Sequence, residues 1–303
     1  MSRVRFSELM EDAGRKKYAV GYFESWNMES LLAVADAAER KRSPVILGFS
    51  GIYLPHPDRV LDEHLSDYAA LGTGVCERLT VPCCLLFNES PDMDWVFKAV
   101  DLGFDLVMYT DEDNSPEQQT QRVAELARRA HRSGAAVEGE LLPLAGASGG
   151  VVDYPEDTSR NELLTDIESA SRFVRDTGVD ALAVDIGQIH LHGRLKLDLD
   201  IDHLKTLREA LDCPLVLHGA SSVAEASIRA AVSSGIRKVN VGSTLKRTYF
   251  ESLRAACNTV DPGYIPYDVV GSLRAGDVNV EARRALQKKV EELMLLFGSA
   301  GRG

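Results

Sequence analysis

The sequence predicts an α/β protein, a (β/α)8 TIM barrel with an extra C-terminal helix. Apolar segments and amphipathic segments alternate along all 303 residues, as they do in βα repeats. The apolar segments are nearly continuous, which is typical of strands buried on both faces of a parallel sheet. Eight such segments occur, which favours a closed barrel over the alternative of an open doubly wound sheet.

The elements follow one another in a regular order. The predicted strands are 18–23, 45–50, 81–88, 106–110, 136–142, 181–187, 214–219 and 238–243. Apolar side chains recur at helical spacing between them, over 28–41, 116–132, 164–177, 201–211 and 223–234. After the eighth strand, residues 259–275 have the composition of a loop, and 277–297 have the pattern of a long C-terminal helix.

We expect one barrel domain over residues 1–303, with one unusually long connection. Residues 143–163 are rich in Gly, Ala, Ser and Asp and show no apolar period. A loop of about 20 residues in a compact domain is usually functional or disordered, so we expect 143–163 to be a mobile active-site loop. Residues 188–200 form a shorter irregular connection that carries two histidines.

The overall charge and the cysteine usage exclude several classes of protein. The 34 Lys and Arg against 46 Asp and Glu give a net charge of −12, which argues against nucleic-acid binding. No apolar stretch reaches about 18 residues, and the first residues lack the apolar core of a signal peptide. The five cysteines contain no CxxC pair. We therefore expect a cytoplasmic protein with reduced thiols and no membrane partner.

Polar side chains at the carboxyl ends of the predicted strands indicate a metal site, because barrel active sites lie at that end. Three of these side chains are strong metal donors, and a fourth lies on the strand between them: Glu89, His190, His218 and Glu140. Two imidazoles and a carboxylate with an open position commonly hold Zn²⁺, and Mn²⁺, Fe²⁺ or Co²⁺ also fit.

Each donor also has a purely structural interpretation. A histidine after a strand is more often a hydrogen-bonded structural residue than a ligand, although several donors on neighbouring strand ends favour ligation. Glu138 and Glu140 lie two residues apart and face the same side, so they are expected to need a bound cation or a shared proton. His192 competes with His190 as the ligand, and spacing alone leaves this open.

Two strand-to-helix junctions predict an anion site. Gly219, Ala220 and Ser221 come at the end of one strand, and Asn240, Gly242 and Ser243 repeat this design one strand later. Backbone N–H groups and hydroxyls at such junctions suit a phosphate, although tight turns with helix caps have the same composition. Their adjacency favours a phosphorylated ligand.

Several segments together resemble the class II (metal-dependent) ketose-bisphosphate aldolases, the family of fructose- and tagatose-bisphosphate aldolases. The chain has YAVGYF followed by NMES, then PVILGFS, VEGEL, ALAVDIG before a His, PLVLHGAS, KVNVGSTLK and the closing FGSAGR, in that family's order. The resemblance extends over nearly the whole chain. PLVLHGAS is its most specific part.

The resemblance implies roles for individual residues. It makes His190 and His218 metal ligands and assigns Glu140 to a second or alternative metal position. It places the ketose phosphate at Gly219, Ser221, Asn240 and Ser243, and the aldehyde side of the substrate near Ser50. Zn²⁺ is the expected metal, and the resemblance also admits a monovalent cation.

The departures from the family pattern fall on residues that the resemblance assigns to metal binding and proton transfer. Asn88 and Glu89 stand where the family has Asp-His, and Glu24 stands where it has Asn. Glu89 can ligate as an oxygen donor and tilts the preference toward Mn²⁺ or Co²⁺. Asn88 can orient an oxygen but cannot exchange a proton at neutral pH, so we expect the proton-transfer role to have moved, with Glu24 as one candidate. The family's acidic loop base has no clear counterpart, and Asp153 is the candidate within 143–163.

The expected activity is a reversible aldol cleavage of a ketose mono- or bisphosphate through a metal-stabilised enediolate, with dihydroxyacetone phosphate as a product. The resemblance also suggests a homodimer or homotetramer. Two alternatives remain open: a sugar epimerase or isomerase that reprotonates the same enediolate, and a non-catalytic homologue that has kept the barrel.

Overall fold

The computed structural model describes residues 2–141, 164–188 and 196–303 and confirms the predicted (β/α)8 barrel. Within these ranges eight parallel strands close into a barrel in chain order. They are β1 (Val20–Ser25), β2 (Val45–Ser50), β3 (Cys83–Ser90), β4 (Leu106–Tyr109), β5 (Ala136–Glu140), β6 (Ala181–Ala183), β7 (Leu215–Leu217) and β8 (Ile236–Val241). Each predicted strand is present, with ends that differ by a few residues.

The helices surround the barrel. They are α1 (Phe6–Lys16), α2 (Met28–Lys41), α3 (Leu65–Arg78), α4 (Met93–Asp101), α5 (Pro116–Arg132), α6 (Ile167–Thr177), α7 (Ile201–Ala210), α8 (Glu225–Ser234), α9 (Ser243–Asn258), α10 (Pro266–Val269) and α11 (Val278–Leu296). The predicted bounds of α2 and α5 are correct to the residue, whereas α1, α3, α4 and α9 were not predicted. The expected loop over 259–275 contains the short α10, so that prediction was wrong over four residues.

Two sets of buried side chains separate the inside of the barrel from its outer layer. Tyr22, Ile46 and Leu86 pack in the inner set, whereas their chain neighbours Phe23 and Leu47 pack outward against the helices. This alternation follows from the period of two along a strand. It also directs Glu24, Ser50 and Asn88 inward at the carboxyl ends of their strands.

Helix α1 closes the barrel at the amino ends of the strands. Its apolar face, formed by Phe6, Leu9, Met10 and Ala13, packs into the inner set of side chains. The site therefore lies at the opposite end. All five cysteines are free thiols. In the described ranges, none of the helices is both long and apolar enough to span a membrane.

The C-terminal helix α11 packs against α2 and α9, and Asp277 forms its N-cap. One carboxylate oxygen of Asp277 accepts a hydrogen bond from the Asn279 N–H (3.0 Å), and the other accepts one from the Leu273 N–H (3.0 Å). Burial raises the pKa of this carboxyl, but these and neighbouring backbone hydrogen bonds outweigh burial and hold the pKa below its ordinary value of 3.8. Asp277 thus ties the loop before α11 to the start of the helix.

We expect Asp277→Asn to lower the free energy of unfolding by about 1–3 kcal/mol, because an amide N–H2 would face the Leu273 N–H. Because the folded-state pKa is lowered, the stability contribution is full above pH 3.8 and is lost as the pH falls through the folded-state pKa. Urea unfolding at pH 7 and at decreasing pH measures both effects. The exposed Asp212→Asn is the matched control, and an equal loss in the two variants would contradict the assignment.

Candidate active site

A cavity at the carboxyl ends of the strands brings together most of the predicted site residues. Nine of them line it: Glu24, Ser50, Asn88, Glu89, His218, Gly219, Ser221, Asn240 and Ser243. These residues come from strands or junctions at β1, β2, β3, β7 and β8, so only the closed barrel places them side by side. Asp153, His190 and the competing His192 lie outside the described residues.

Glu140 is buried on β5 and is held by a hydrogen bond from Thr110 Oγ1 to its Oε1 (2.8 Å). Burial raises its pKa to about 8. His218 opposes this shift, and the nearby carboxylates Glu89 and Asp185 add to it. The Glu140 carboxyl therefore holds a proton near neutral pH in the absence of an added cation.

His218 is the centre of the site. Its Nε2 lies 2.8 Å from Glu138 Oε1, and its Nδ1 lies 2.8 Å from Glu89 Oε1. The ring is 2% exposed. Burial lowers its pKa, but the two carboxylates outweigh burial and raise the pKa to about 10. The structure thus places an imidazole between two carboxylates, one from β3 and one from β5.

Lys238 is a fully buried cation that the sequence analysis missed. Its Nζ lies 2.7 Å from Glu138 Oε2, and it donates a hydrogen bond to Asn240 Oδ1. Burial raises the pKa of Glu138, but Lys238 and His218 outweigh it and lower the pKa below its ordinary value. Of the expected cation or shared proton, the described residues supply part: Lys238 and His218 neutralise Glu138, and the raised pKa of Glu140 favours its protonated form. A bound metal beside Glu140 stays a prediction.

Glu89 points into the barrel because the end of β3 is irregular. The pairing register of β3 and β4 shifts between Phe87 and Ser90, and Glu89 has φ 52°. This left-handed conformation costs a non-glycine residue about 1–2 kcal/mol. Without the shift, the alternation along the strand would direct Glu89 outward, like Phe87. The strained backbone at Glu89 thus places its carboxylate next to His218.

Asn88 is held in place by its neighbours. Its Nδ2 donates to Glu89 Oε2 (2.7 Å), and its Oδ1 accepts from Asn240 Nδ2 (3.3 Å). Both ends of the amide are therefore engaged. Asn88 can orient groups in the cavity, but its side chain has no proton to exchange at neutral pH.

The two junctions predicted to bind an anion are joined to one another by a hydrogen bond. Gly219 has φ 64°, a left-handed conformation that favours glycine, and it leads into the 3₁₀ turn Ala220–Ser222. Ser221 Oγ accepts a hydrogen bond from the Thr244 N–H (3.2 Å) in the first turn of α9. The β7 junction is thereby fixed against the N-terminus of α9, where backbone N–H groups favour an anion.

An ion pair lies beside this junction. Lys246 Nζ is 2.5 Å from Glu24 Oε1, and it lies 4.1 Å from the centre of the Tyr53 ring. The other Glu24 oxygen lies so close to Gly242 that a Cβ there would be only 2.3 Å away, so a larger residue at 242 would displace this carboxylate. Burial raises the pKa of Glu24, and Lys246 opposes this shift.

His218 and Glu89 are donors of the chemical kind that a divalent metal ion takes. His218 Nδ1 is buried and has no hydrogen-bond partner in the described part of the chain, although Glu89 lies close. Its other nitrogen is held by Glu138, and metal-bound histidines are commonly held by a carboxylate in this way. Among the described residues alone, no three His, Cys, Asp or Glu side chains are arranged to hold a metal. The third ligand, His190, stays a prediction.

The site also contains residues that were not predicted from the sequence, among them Tyr22, Asp185, Lys238 and Lys246. Tyr22 and Lys238 were detectable in principle, because each precedes a predicted site residue by two positions on the same strand and so faces the same side. Asp185 follows β6, and burial raises its pKa to about 7, opposed by His218. Lys246 is brought in by the turn of α9, for which the sequence offered no signal.

Comparisons with known proteins agree with the resemblance. A family model described as "Fructose-bisphosphate aldolase class-II" matches residues 4–302. The fructose-bisphosphate aldolase of Giardia intestinalis is 30% identical and covers 97% of this chain and 92% of its own. The sulfofructosephosphate aldolase of Alkalicoccus urumqiensis is 28% identical, and the match covers 99% of this chain and 98% of that protein. The crystal structure of the YdjI aldolase from Escherichia coli K12 has a TM-score of 0.78 at 27% identity, and the match covers 99% of both chains.

Proposed function

Because the chain belongs to the class II fructose-bisphosphate aldolase family and is an aldolase that cleaves a sugar phosphate, we propose that it acts on a ketose phosphate, depends on a divalent metal and releases dihydroxyacetone phosphate. The observation that carries the proposal is His218, held between Glu89 and Glu138 at the mouth of the barrel. Its Nδ1 is turned toward a second donor in the cavity that also contains the anion-binding junctions.

In the proposal, Glu89, His218 and His190 hold the metal, and Glu140 provides an alternative position. The oxygen donor at Glu89 makes Mn²⁺ or Co²⁺ a candidate beside Zn²⁺, and a monovalent cation fits the same proposal. When bound, a divalent ion polarises the ketose carbonyl. Glu138 and Lys238 position the His218 ring.

The remaining residues bind the substrate and move its protons. Gly219, Ser221, Asn240 and Ser243 hold the phosphate with backbone N–H groups and polar side chains. Ser50 lies on the aldehyde side. Glu24 or Asp153 takes the proton of the hydroxyl next to the breaking bond, while Asn88 orients that oxygen. The electrons of the broken C–C bond pass to the ketose fragment, which leaves as the three-carbon product once its carbon is protonated.

Removal of metal and replacement of Glu89 test the proposal together. We expect chelation to abolish cleavage of ketose phosphates and added Mn²⁺, Co²⁺ or Zn²⁺ to restore it. Glu89→Gln should weaken metal binding by about 10- to 100-fold or more, because a neutral amide replaces a charged ligand. Metal content, metal titration and release of the three-carbon product are the measurements, and the exposed Glu125→Gln is the matched control.

Cleavage that survives both chelation and Glu89→Gln would contradict the metal site. An epimerised sugar without any three-carbon product would instead identify the enzyme as an epimerase. The homodimer or homotetramer stays a prediction, supported by the exposed apolar side chains Tyr264, Ile265, Tyr267, Val270 and Leu273 around α10. The cytoplasmic location also stays a prediction.

A further inference from the structure

Tyr22 lines the cavity, and the reaction described above gives it no role. It lies on the inward face of β1, two residues before Glu24, and is the register partner of Asn240 on β8. Its side chain is 1% exposed. Its hydroxyl has no hydrogen-bond partner among the residues that the structure describes. A buried hydroxyl without a partner costs free energy, so its presence calls for an explanation.

The position of this hydroxyl is fixed by the packing of the ring. Tyr22 belongs to the inner set of side chains with Val20 and Ile46. One face of the ring lies toward Lys238, whose Nζ is 5.3 Å from the ring centre and is itself held by Glu138. Burial raises the pKa of Tyr22 well above its ordinary value of 10.0, and the carboxylates of Glu24, Glu89 and Glu138 add to this. The phenol therefore stays protonated and can donate a hydrogen bond.

The two side-chain amides of the cavity, Asn88 and Asn240, already donate to other groups. The Asn88 amide donates to Glu89, and the Asn240 amide donates to Asn88. Asn88 stands where the resemblance expects an aspartate that handles a proton on the aldehyde oxygen. The Tyr22 hydroxyl can thus donate a hydrogen bond in a cavity where Asn88 replaces the aspartic acid that the resemblance leads us to expect.

We propose that the Tyr22 hydroxyl is a further catalytic group, which donates a hydrogen bond to the substrate hydroxyl oxygen next to the breaking C–C bond. The inference rests on the proposed function. In cleavage this oxygen loses its proton to a carboxylate, and its electron pair forms the aldehyde carbonyl. The bonding pair of the broken bond passes to the ketose fragment. Tyr22 keeps its own proton and stabilises the negative charge that the oxygen carries as the bond breaks.

Tyr22→Phe tests this role because it removes the hydroxyl and keeps the ring. We expect kcat to fall by about 10²- to 10³-fold, while KM for the ketose phosphate changes far less. Binding of inorganic phosphate, measured by competitive inhibition and by calorimetry, should be unchanged, because the phosphate junctions lie on other strands. Resistance to urea should be equal or higher, since an unsatisfied buried hydroxyl is lost.

Tyr18→Phe is the matched control. Tyr18 is equally buried, just before β1 at the closed end of the barrel, and its hydroxyl donates to Asp12 (2.9 Å). We expect this variant to lose some stability and to keep its kcat.

Three results would overturn the assignment. If the wild type cleaves the substrate and Tyr22→Phe has the same kcat, the hydroxyl has no catalytic role and the proposed function stands. If the fall in kcat comes with matching losses of phosphate binding and of stability, Tyr22 is a packing residue. If the wild type releases no three-carbon product, the proposed function fails and the role of Tyr22 fails with it.

Discussion

His218→Ala is expected to lower kcat/KM for ketose phosphate cleavage by about 10³-fold or more. The substitution removes the imidazole whose Nδ1 faces Glu89 and whose Nε2 contacts Glu138. A bound divalent ion contributes several kcal/mol of stabilisation to the developing charge, and a loss of about 4 kcal/mol corresponds to about 10³-fold in rate. Steady-state kinetics together with the metal content of the purified variant measures both parts of the effect.

Several controls separate a catalytic loss from a folding defect. His64→Ala removes an exposed histidine ahead of α3 and should leave both kinetics and metal content unchanged. His218→Gln keeps a polar side chain beside Glu138 and preserves folding if the alanine variant unfolds. Added imidazole should restore part of the activity of His218→Ala, because the deletion leaves space for it. A folded His218→Ala variant with wild-type kcat/KM would exclude the proposed metal site.

The fold was predictable because individual segments of the sequence carry the hydrophobic pattern of the strand or helix that they form. The strands are apolar, the helix α5 carries an amphipathic stripe after a Ser-Pro start, and both features are readable without tertiary information. Helix α1 was missed although its apolar face is clear, because no strand precedes it and the βα pattern therefore did not require it. The surface that α1 covers is the inner set of strand side chains, and this surface exists only once the barrel has formed.

Part of the cavity lining was predictable, but its electrostatics were not. Strand ends converge in a closed barrel, so nine of the residues that line the cavity could be named from the strand ends and the junctions after them. Which charges meet there depends on side-chain reach across the barrel. Lys238 on β8 meets Glu138 on β5, from strands separated by 100 residues in sequence, and no periodicity indicates that contact.

The strained backbone at Glu89 could not be predicted from the sequence either. Strict alternation along β3 would have directed Asn88 inward and Glu89 outward. The shift in register and the left-handed φ of 52° bring both side chains to the cavity. Strained backbone of this kind occurs preferentially at functional sites, so the conformation itself supports a role for Glu89.

Lys238→Met is expected to destabilise the fold by about 3–5 kcal/mol, because it removes one partner of a fully buried ion pair. Glu138 would keep His218 as its remaining cation but lose the contact of 2.7 Å to Lys238 Nζ. The methionine fills much of the volume, so the loss reports the unpaired charge more than a cavity. Urea unfolding at neutral pH measures it, and Lys288→Met on the exposed side of α11 should change stability by less than about 0.5 kcal/mol.

A double-mutant cycle shows whether the effect belongs to the pair. Lys238→Met combined with Glu138→Gln removes both charges, so the double variant should be clearly more stable than the sum of the two single losses predicts. Additive losses would mean that Lys238 and Glu138 do not stabilise one another. In that case Glu138 would be held mainly by His218, and the lysine would act on the site only through Asn240 and the face of Tyr22.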